Sequence, residues 1–134
     1  MATEEVVYIT FAEAVLFHIE LMKYWGETRF GVSSRSLVES ALARPHQAAA
    51  YENADLIKQA ATLCYGLIKN HPWVGGNKRT ATVLVQVFLI SNGMELDALS
   101  SDLIAMVLAV EANQWGVEEI DRWIRQRTTR AIQK

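Results

Sequence analysis

One run of nine residues near the middle of the chain holds residue types that commonly form anion-binding or catalytic sites. It reads His71, Pro72, Trp73, Val74, Gly75, Gly76, Asn77, Lys78, Arg79. Apolar periodicity predicts a helix over residues 55–69 and another over 77–92, so the run forms the turn between two helices. The proline cannot continue the first helix, and the two glycines permit backbone angles closed to other residues.

The second of these helices is predicted to begin at Asn77, a favourable N-cap residue. Lys78 and Arg79 then lie in its first turn, where cations oppose the helix dipole. An anion at this end would account for them, because free N–H groups, the dipole and a forked guanidinium together bind phosphate. His71, at the other lip, is a residue type that can take a proton from a hydroxyl near neutral pH. The alternative is a plain corner with solvated charges.

This run resembles the signature of the Fic superfamily, His-Pro-aromatic-x-acidic-Gly-Asn-x-Arg. The Asn-Lys-Arg ending is the form found in the Doc branch, whose members are the toxins of Phd–Doc type toxin–antitoxin pairs. The resemblance covers nearly the whole chain, since the Tyr8-Ile9-Thr10 opening, the helix order and the short length are also Doc-like. Trp73 replaces the usual Phe. Gly75 replaces the acidic residue that holds Mg²⁺ on the nucleotide phosphates in the family.

The resemblance implies an enzyme that transfers a group from a nucleoside triphosphate to a protein hydroxyl. A Gly after the Asn goes with AMP transfer in the Fic branch. The Lys found in the Doc branch goes with an inverted nucleotide and phosphoryl transfer to a translation elongation factor. His71 would be the general base. The phosphate-binding residues would be Gly75, Gly76, Asn77, Lys78 and Arg79, with Lys69 as a weaker candidate.

The resemblance also implies a substrate, a metal and a partner. ATP is the expected substrate, and Mg²⁺ is expected with it although its usual ligand is absent at Gly75. The partner would be a Phd-like antitoxin that lays a helix or a disordered tail into a groove near the active site. The polar loop over residues 27–34 lies over the active-site cleft in Doc-like proteins.

Two other functions stay open. A Doc-fold protein that lost catalysis with the acidic residue could still engage an antitoxin as a binding module, because phosphoryl transfer normally depends on the metal. A DNA-binding helical protein is disfavoured by the formal net charge of −2, which lacks a basic footprint. We therefore expect no direct contact with nucleic acid. The arginines near the C-terminus are expected to be a solvated face at the end of a helix: Arg122, Arg125, Arg127 and Arg130.

Composition predicts one domain over residues 1–134, since 134 residues are too few for two domains and 51% of them are hydrophobic. Cys64 cannot form an internal disulfide, and the acidic N-terminus does not resemble a signal peptide, so we expect a cytoplasmic protein. The longest apolar runs, near residues 83–90 and 104–110, are too short to cross a bilayer.

The predicted fold is a compact all-α domain of about six helices around a buried fourth helix. Thr10 and Glu13 form a capping box for the first helix, and His18 lies on its apolar face as a core or edge residue. Pro45 is predicted to end the second helix, and Asn53 to cap the third. Residues 94–99 are predicted to be a connector before helices over 102–114 and 117–130. The absence of a strand before the glycine turn excludes P-loop and Rossmann sites.

Overall fold

Helices dominate the chain, whose computed structural model describes residues 5–131. Within those residues there are six helices, which confirms the all-α prediction. The strands in this part of the chain are limited to one small two-stranded antiparallel sheet. The elements in chain order are α1 (Phe11–Tyr24), α2 (Arg35–Glu52), α3 (Leu56–Asn70), α4 (Asn77–Ser91), β1 (Met94–Leu96), α5 (Ser100–Glu111), α6 (Val117–Arg127) and β2 (Thr128–Arg130).

The two helices on either side of the glycine turn form the centre of the domain. α4 is buried as predicted, but α3 is buried more fully: ten of its 15 residues are buried, against seven of 15 in α4. α3 contacts α2, α4, α5 and α6. Cys64 lies in this core, where burial raises the pKa of its thiol to about 12, as expected for an inert core cysteine. The turn between α3 and α4 is therefore anchored at both ends in rigid structure.

The first helix begins as predicted. The backbone N–H of Glu13 donates to the Thr10 hydroxyl at 3.2 Å, and the Thr10 N–H donates to the Glu13 carboxylate at 2.9 Å. These two bonds complete a capping box. Residues 5–10 are an extended lead-in without strand assignment. None of the described helices is long and apolar enough to cross a membrane.

The prediction that Pro45 ends the second helix is wrong, because α2 continues through it to Glu52. Pro45 is buried on a stripe with Val38, Ala41 and Ala48, which follows helical spacing, and α2 packs along α3. This packing outweighs the single backbone hydrogen bond that proline removes.

The prediction for the start of the third helix is also wrong, since Asn53 does not cap it. Asn53 instead ends α2 in the left-handed conformation, at φ 52°. Asp55 is the N-cap of α3 and accepts the N–H of Lys58 at 2.9 Å.

The connector predicted over residues 94–99 contains strand β1, and the last helix ends at Arg127 rather than at Arg130. Met94 pairs with Arg130 and Leu96 with Thr128 in the small sheet. The fifth helix begins at Ser100, earlier than predicted, with Leu99 as its N-cap. These strands depend on pairing between segments more than 30 residues apart, which local sequence patterns do not report.

Candidate functional site

The turn between α3 and α4 has two residues in the left-handed conformation, one at each lip. His71 ends α3 at φ 50° and ψ 53°, and its side chain is exposed. Gly76 begins α4 at φ 63°. Gly76, rather than Asn77, is therefore the N-cap, and the prediction for Asn77 as the cap is wrong. Within the described chain no side chain caps α4, so the amides of its first turn are not blocked by a capping group.

Asn77 closes the turn from inside. Its side-chain amide donates to the Trp73 carbonyl at 2.9 Å, and its side-chain oxygen accepts the Trp73 N–H at 3.0 Å. Asn77 is buried, with an exposed fraction of 7%. Both polar groups of this side chain are therefore hydrogen-bonded within the turn. Its predicted contact with phosphate stays a prediction.

The two glycines differ in what a side chain would meet. A Cβ on Gly76 would lie 2.4 Å from Met22 Cε, and the positive φ is strained for other residues. Gly75 has no positive φ. A Cβ there would lie 3.2 Å from the carbonyl oxygen of Arg29, which is tight but not prohibitive. A side chain at Gly76 is therefore disfavoured by both the positive φ and Met22, whereas a side chain at Gly75, where the family carries a carboxylate, would meet only the Arg29 carbonyl among residues 5–131.

Lys78 and Arg79 project from the first turn of α4 in two directions, and both are about half exposed. Lys78 Nζ lies 3.4 Å from a carboxylate oxygen of Glu111, at the end of α5. Arg79 Nη1 lies 3.3 Å from a carboxylate oxygen of Glu27, and its guanidinium lies 4.5 Å from the centre of the Trp25 ring. The first-turn cations are thus free to exchange these weak surface pairs for an external anion.

Lys69 reaches the same end of α5 as Lys78. Its ammonium donates to the side-chain oxygen of Asn113, two residues beyond the Glu111 that pairs with Lys78. The structure therefore brings Lys69 and Lys78 to one edge of the turn. No contact joins Lys69 to the glycine loop itself among the hydrogen bonds of residues 5–131, and its phosphate-binding role stays a prediction.

The α1–α2 loop is bound to the turn by backbone hydrogen bonds. The Gly31 carbonyl accepts the N–H of Val74 at 2.8 Å, and the Pro72 carbonyl accepts the N–H of Ser33 at 2.9 Å. An isolated antiparallel bridge joins Val32 to Trp73. The loop thereby forms a second wall of the site and carries the Arg29 carbonyl and Glu27 to it.

His18 is buried at the junction between this loop and the turn. Its ring stacks on Trp73, with centroids 4.4 Å apart and planes at 15°. Its Nε2 accepts the N–H of Gly31 at 3.0 Å, and its Nδ1 lies 2.9 Å from Thr80 Oγ1. His18 is therefore a core residue, and the prediction of a core or edge histidine is confirmed. Its connection to the site was missed, since helical spacing identifies the apolar face but not what covers it.

The arginines near the C-terminus are engaged within the domain. Arg125 contacts both Asp55, at 2.9 Å, and Asp121, at 3.0 Å. The hydrogen bond from Arg125 holds the pKa of the Asp55 carboxyl below its usual range. Arg122 lies 3.3 Å from Glu119, and Arg127 covers the Trp123 ring. Arg122 and Arg125 remain largely or about half exposed, as expected of a solvated face, but they pair with carboxylates of the domain, and Arg130 lies in β2 rather than at a helix end.

The residues present do not fit a metal ion held by the protein. In the part of the chain that the structure describes, no three side chains of His, Cys, Asp or Glu come together as metal ligands. Gly75 offers no ligand, and Glu27, the carboxylate at the lip, is paired with Arg79. What the site does offer is a helix N-terminus with two half-exposed cations and an exposed histidine across the turn. That set of groups can bind a phosphate and accept a proton beside it.

The fold and the turn define an all-α domain in which, within residues 5–131, no side chain caps the N-terminus of the fourth helix. The sequence model of the Fic/DOC family matches residues 8–89, from the lead-in to α4, and this chain belongs to that family. The match includes His71 to Arg79. A curated relative, Toxin Doc of Mycolicibacterium smegmatis, is 40% identical over an alignment that covers 54% of this chain and 61% of the relative. The chain therefore matches less than two thirds of that relative's length.

Proposed function

We propose that this chain is a Doc-like toxin that transfers the γ-phosphoryl group of ATP to a hydroxyl of another protein. The observation that carries the proposal is the turn itself, with Lys78 and Arg79 at an uncapped helix N-terminus and His71 exposed on the opposite lip. Membership of the Fic/DOC family and the likeness to a relative called Toxin Doc support it.

Each group has a role that its chemistry suits. His71 takes the proton of the attacking hydroxyl as the new oxygen–phosphorus bond forms and the bond to the ADP oxygen breaks. The amides of Gly75 and Gly76 line the anion site, and Lys78 and Arg79 neutralise phosphate charge. Asn77 holds the turn in shape, and Lys69 approaches the same edge through Asn113.

The left-handed conformation of His71 supports its role as a base. Residues other than glycine seldom adopt this region, and the strain is about 1 kcal/mol or more. At φ 50° the chain leaves the helical conformation of α3 at His71, whose side chain is exposed at the lip of the turn. Pro72 maintains the bend because it cannot continue a helix.

We propose that Mg²⁺ reaches the site only as an ion bound to the nucleotide. Because the protein residues do not fit a metal site of their own, the positive charge supplied by the chain itself is that of Lys78 and Arg79. We propose ATP as the substrate and a translation elongation factor as the protein that is modified, both from the family resemblance. Growth arrest would follow from loss of that factor.

An apolar groove beside the cations suits the proposed antitoxin partner. It has a volume of about 380 Å³ and lies between the end of α1, α4 and α5. Its apolar walls come from Leu21, Trp25, Val83, Leu103, Ile104 and Val107, and Lys78 and Arg79 stand at its edge. An amphipathic segment with acidic side chains matches this combination. We propose that a Phd-like antitoxin fills the groove and covers the cations.

Gly75 favours a second candidate, a Doc-fold binding module with impaired catalysis. Every other position of the motif carries a residue suited to phosphoryl transfer, and the missing carboxylate is the metal ligand of the family. AMP transfer is the alternative for an active enzyme. A short open reading frame directly upstream of the gene would support a toxin–antitoxin pair.

Labelled nucleotide tests the proposal. Purified protein is incubated with a cell lysate and either γ-labelled or α-labelled ATP, and labelled proteins are separated. We expect label from the γ-phosphate only, on one predominant protein. Label from the α-phosphate would establish AMP transfer. The binding module would be established if protein free of antitoxin gave no label from either nucleotide and still bound the antitoxin in a separate measurement.

A further inference from the structure

The His18 side chain joins three separate parts of the candidate site. It projects from α1, accepts the Gly31 N–H of the α1–α2 loop at 3.0 Å and lies 2.9 Å from the Thr80 hydroxyl of α4. Thr80 directly follows Arg79 in the first turns of that helix. The third contact is the stacking on Trp73, in the turn itself. The ring is completely buried, with an exposed fraction of 0%.

Its hydrogen bonds determine which tautomer the ring adopts. A backbone N–H donates to Nε2, so Nε2 must carry a lone pair and no proton. The proton of the neutral ring is therefore on Nδ1, which donates to Thr80 Oγ1. Burial disfavours the charged form and lowers the pKa of His18 to about 4. The imidazole is thus neutral, and its acceptor faces the loop.

The bond to Gly31 lies at the point where the loop meets the turn. The Gly31 carbonyl accepts the Val74 N–H at 2.8 Å while its N–H donates to His18, so both polar groups of this residue are used. Gly31 has φ +124°, a conformation that other residues rarely adopt. Two further residues of the same loop lie at the site: the Arg29 carbonyl lies beside Gly75, and the Glu27 carboxylate pairs with Arg79.

We propose that His18 is a positioning residue of the anion site, which holds the α1–α2 loop against the turn through its bond to Gly31. An apolar side chain would fill the same space but would leave the Gly31 N–H unpaired at a partly buried position. The loop would then move away from the turn, and the contacts of Glu27 and Arg29 with the site would change. The inference rests on the proposed function only in taking the bound anion to be a phosphate of the nucleotide.

Two amide variants separate the two hydrogen bonds. In His18→Gln the side-chain oxygen extends to the place of Nε2 and can accept the Gly31 N–H. In His18→Asn the shorter amide occupies the place of Nδ1 and can keep only the Thr80 bond. Thr80→Val is the matched control, because it removes the bond to Nδ1 and leaves the bond to Gly31.

Hydrogen exchange of the Val74 amide and titration with inorganic phosphate report on the site. We expect His18→Asn to raise Val74 exchange by about tenfold, because a buried donor loses its partner. Phosphate binding should weaken by about tenfold, because the turn that carries the amides of the anion site is no longer held in place, and this loss exceeds the smaller gain from releasing Arg79 from Glu27. In His18→Gln and Thr80→Val, the Val74 exchange rate and the phosphate affinity should each stay within about threefold of wild type. Equal effects of Asn and Gln, or unchanged Val74 exchange in His18→Asn, would overturn the proposal and leave His18 as ordinary core.

A measurement on the wild-type protein tests the proposal even if the variants do not fold. The nitrogen chemical shifts of His18 distinguish the two neutral tautomers, and we expect the proton on Nδ1. A proton on Nε2 would exclude the bond to Gly31 and overturn the proposal. If no lysate protein is labelled from ATP while Val74 exchange and phosphate binding respond as expected, the proposed transfer fails and the positioning role stands.

Discussion

The carboxylate of Glu27 lies 3.3 Å from the guanidinium of Arg79, in the region where the proposed function places a phosphate. The same guanidinium lies over the Trp25 ring, at 4.5 Å from its centre. Both members of the ion pair are about half exposed, so the pair contributes little to stability. The loop after α1 therefore presents an internal anion that a phosphate must displace from Arg79.

Glu27→Gln is expected to strengthen phosphate binding. Removing the carboxylate frees Arg79 from a competing pair whose strength is about 0.2–1 kcal/mol, so affinity should rise by up to about fivefold. Calorimetric titration with inorganic phosphate and with ATP measures the effect. Glu39→Gln is the matched control, because Glu39 pairs with Arg35 on α2 and should leave affinity unchanged. Weaker binding by Glu27→Gln would mean that this carboxylate assists the anion.

His71→Ala is expected to abolish phosphoryl transfer without unfolding the protein. Loss of a general base lowers the rate by about 10²–10⁴, and the exposed ring has little packing to lose. Transfer of label and thermal melting are compared with those of His46→Ala. His46 is the other exposed histidine and has an edge contact with the Tyr8 ring, at 5.3 Å. Full activity of the His71 variant would remove this residue from the mechanism.

Gly75→Asp is expected to strengthen Mg²⁺-dependent nucleotide binding and to raise turnover. It restores the carboxylate of the family at a position without positive φ. Its Cβ would lie 3.2 Å from the Arg29 carbonyl, so the loop must shift slightly, with a destabilisation of about 1 kcal/mol. Gly75→Asn has the same shape without the charge and serves as the control. If wild type already binds Mg²⁺–ATP as well as the Asp variant, the impaired-module alternative is lost.

Gly76→Ala is expected to destabilise the domain more than Gly93→Ala. Both glycines have positive φ, at +63° and +82°, so both variants acquire backbone strain of about 1–2 kcal/mol. Only at Gly76 would the new methyl group also overlap Met22, whose side chain is completely buried. Overpacking should add about 1–3 kcal/mol to the loss of unfolding free energy in urea. Equal losses would show that the Met22 contact relaxes freely.

Stability is expected to fall with acid through the titration of His18. The pKa of the folded state, about 4, lies below the ordinary 6.5, so the unfolded chain binds more protons between these values. The neutral His18 ring contributes about 3 kcal/mol to the free energy of unfolding. This contribution is fully present above pH 6.5 and is lost as the pH falls toward 4. Between pH 4 and 7, the free energy of unfolding should change less steeply with pH in His18→Gln than in wild type. Identical slopes would exclude His18 as the group responsible.

Local signals predicted the start of the first helix correctly, but they misplaced the caps of the third and fourth helices and the end of the second. The capping box of Thr10 and Glu13 depends on residues three apart, and it is present as predicted. The break at Pro45 failed because packing of α2 on α3 outweighs a missing hydrogen bond. The strand over Met94–Leu96 was missed because its partner lies more than 30 residues away.

The sequence by itself determined the turn and the family, because the order from His71 to Arg79 places a histidine, two glycines and two cations at the junction of two helices. Only the tertiary structure decided which groups surround it. His18 and Thr80 lie 62 positions apart and Glu27 and Arg79 lie 52 apart, yet each pair is in contact. Periodicity reports which face of a helix is apolar. The partner of a buried polar group depends on how the helices are assembled, since the whole chain must fold before the two atoms meet.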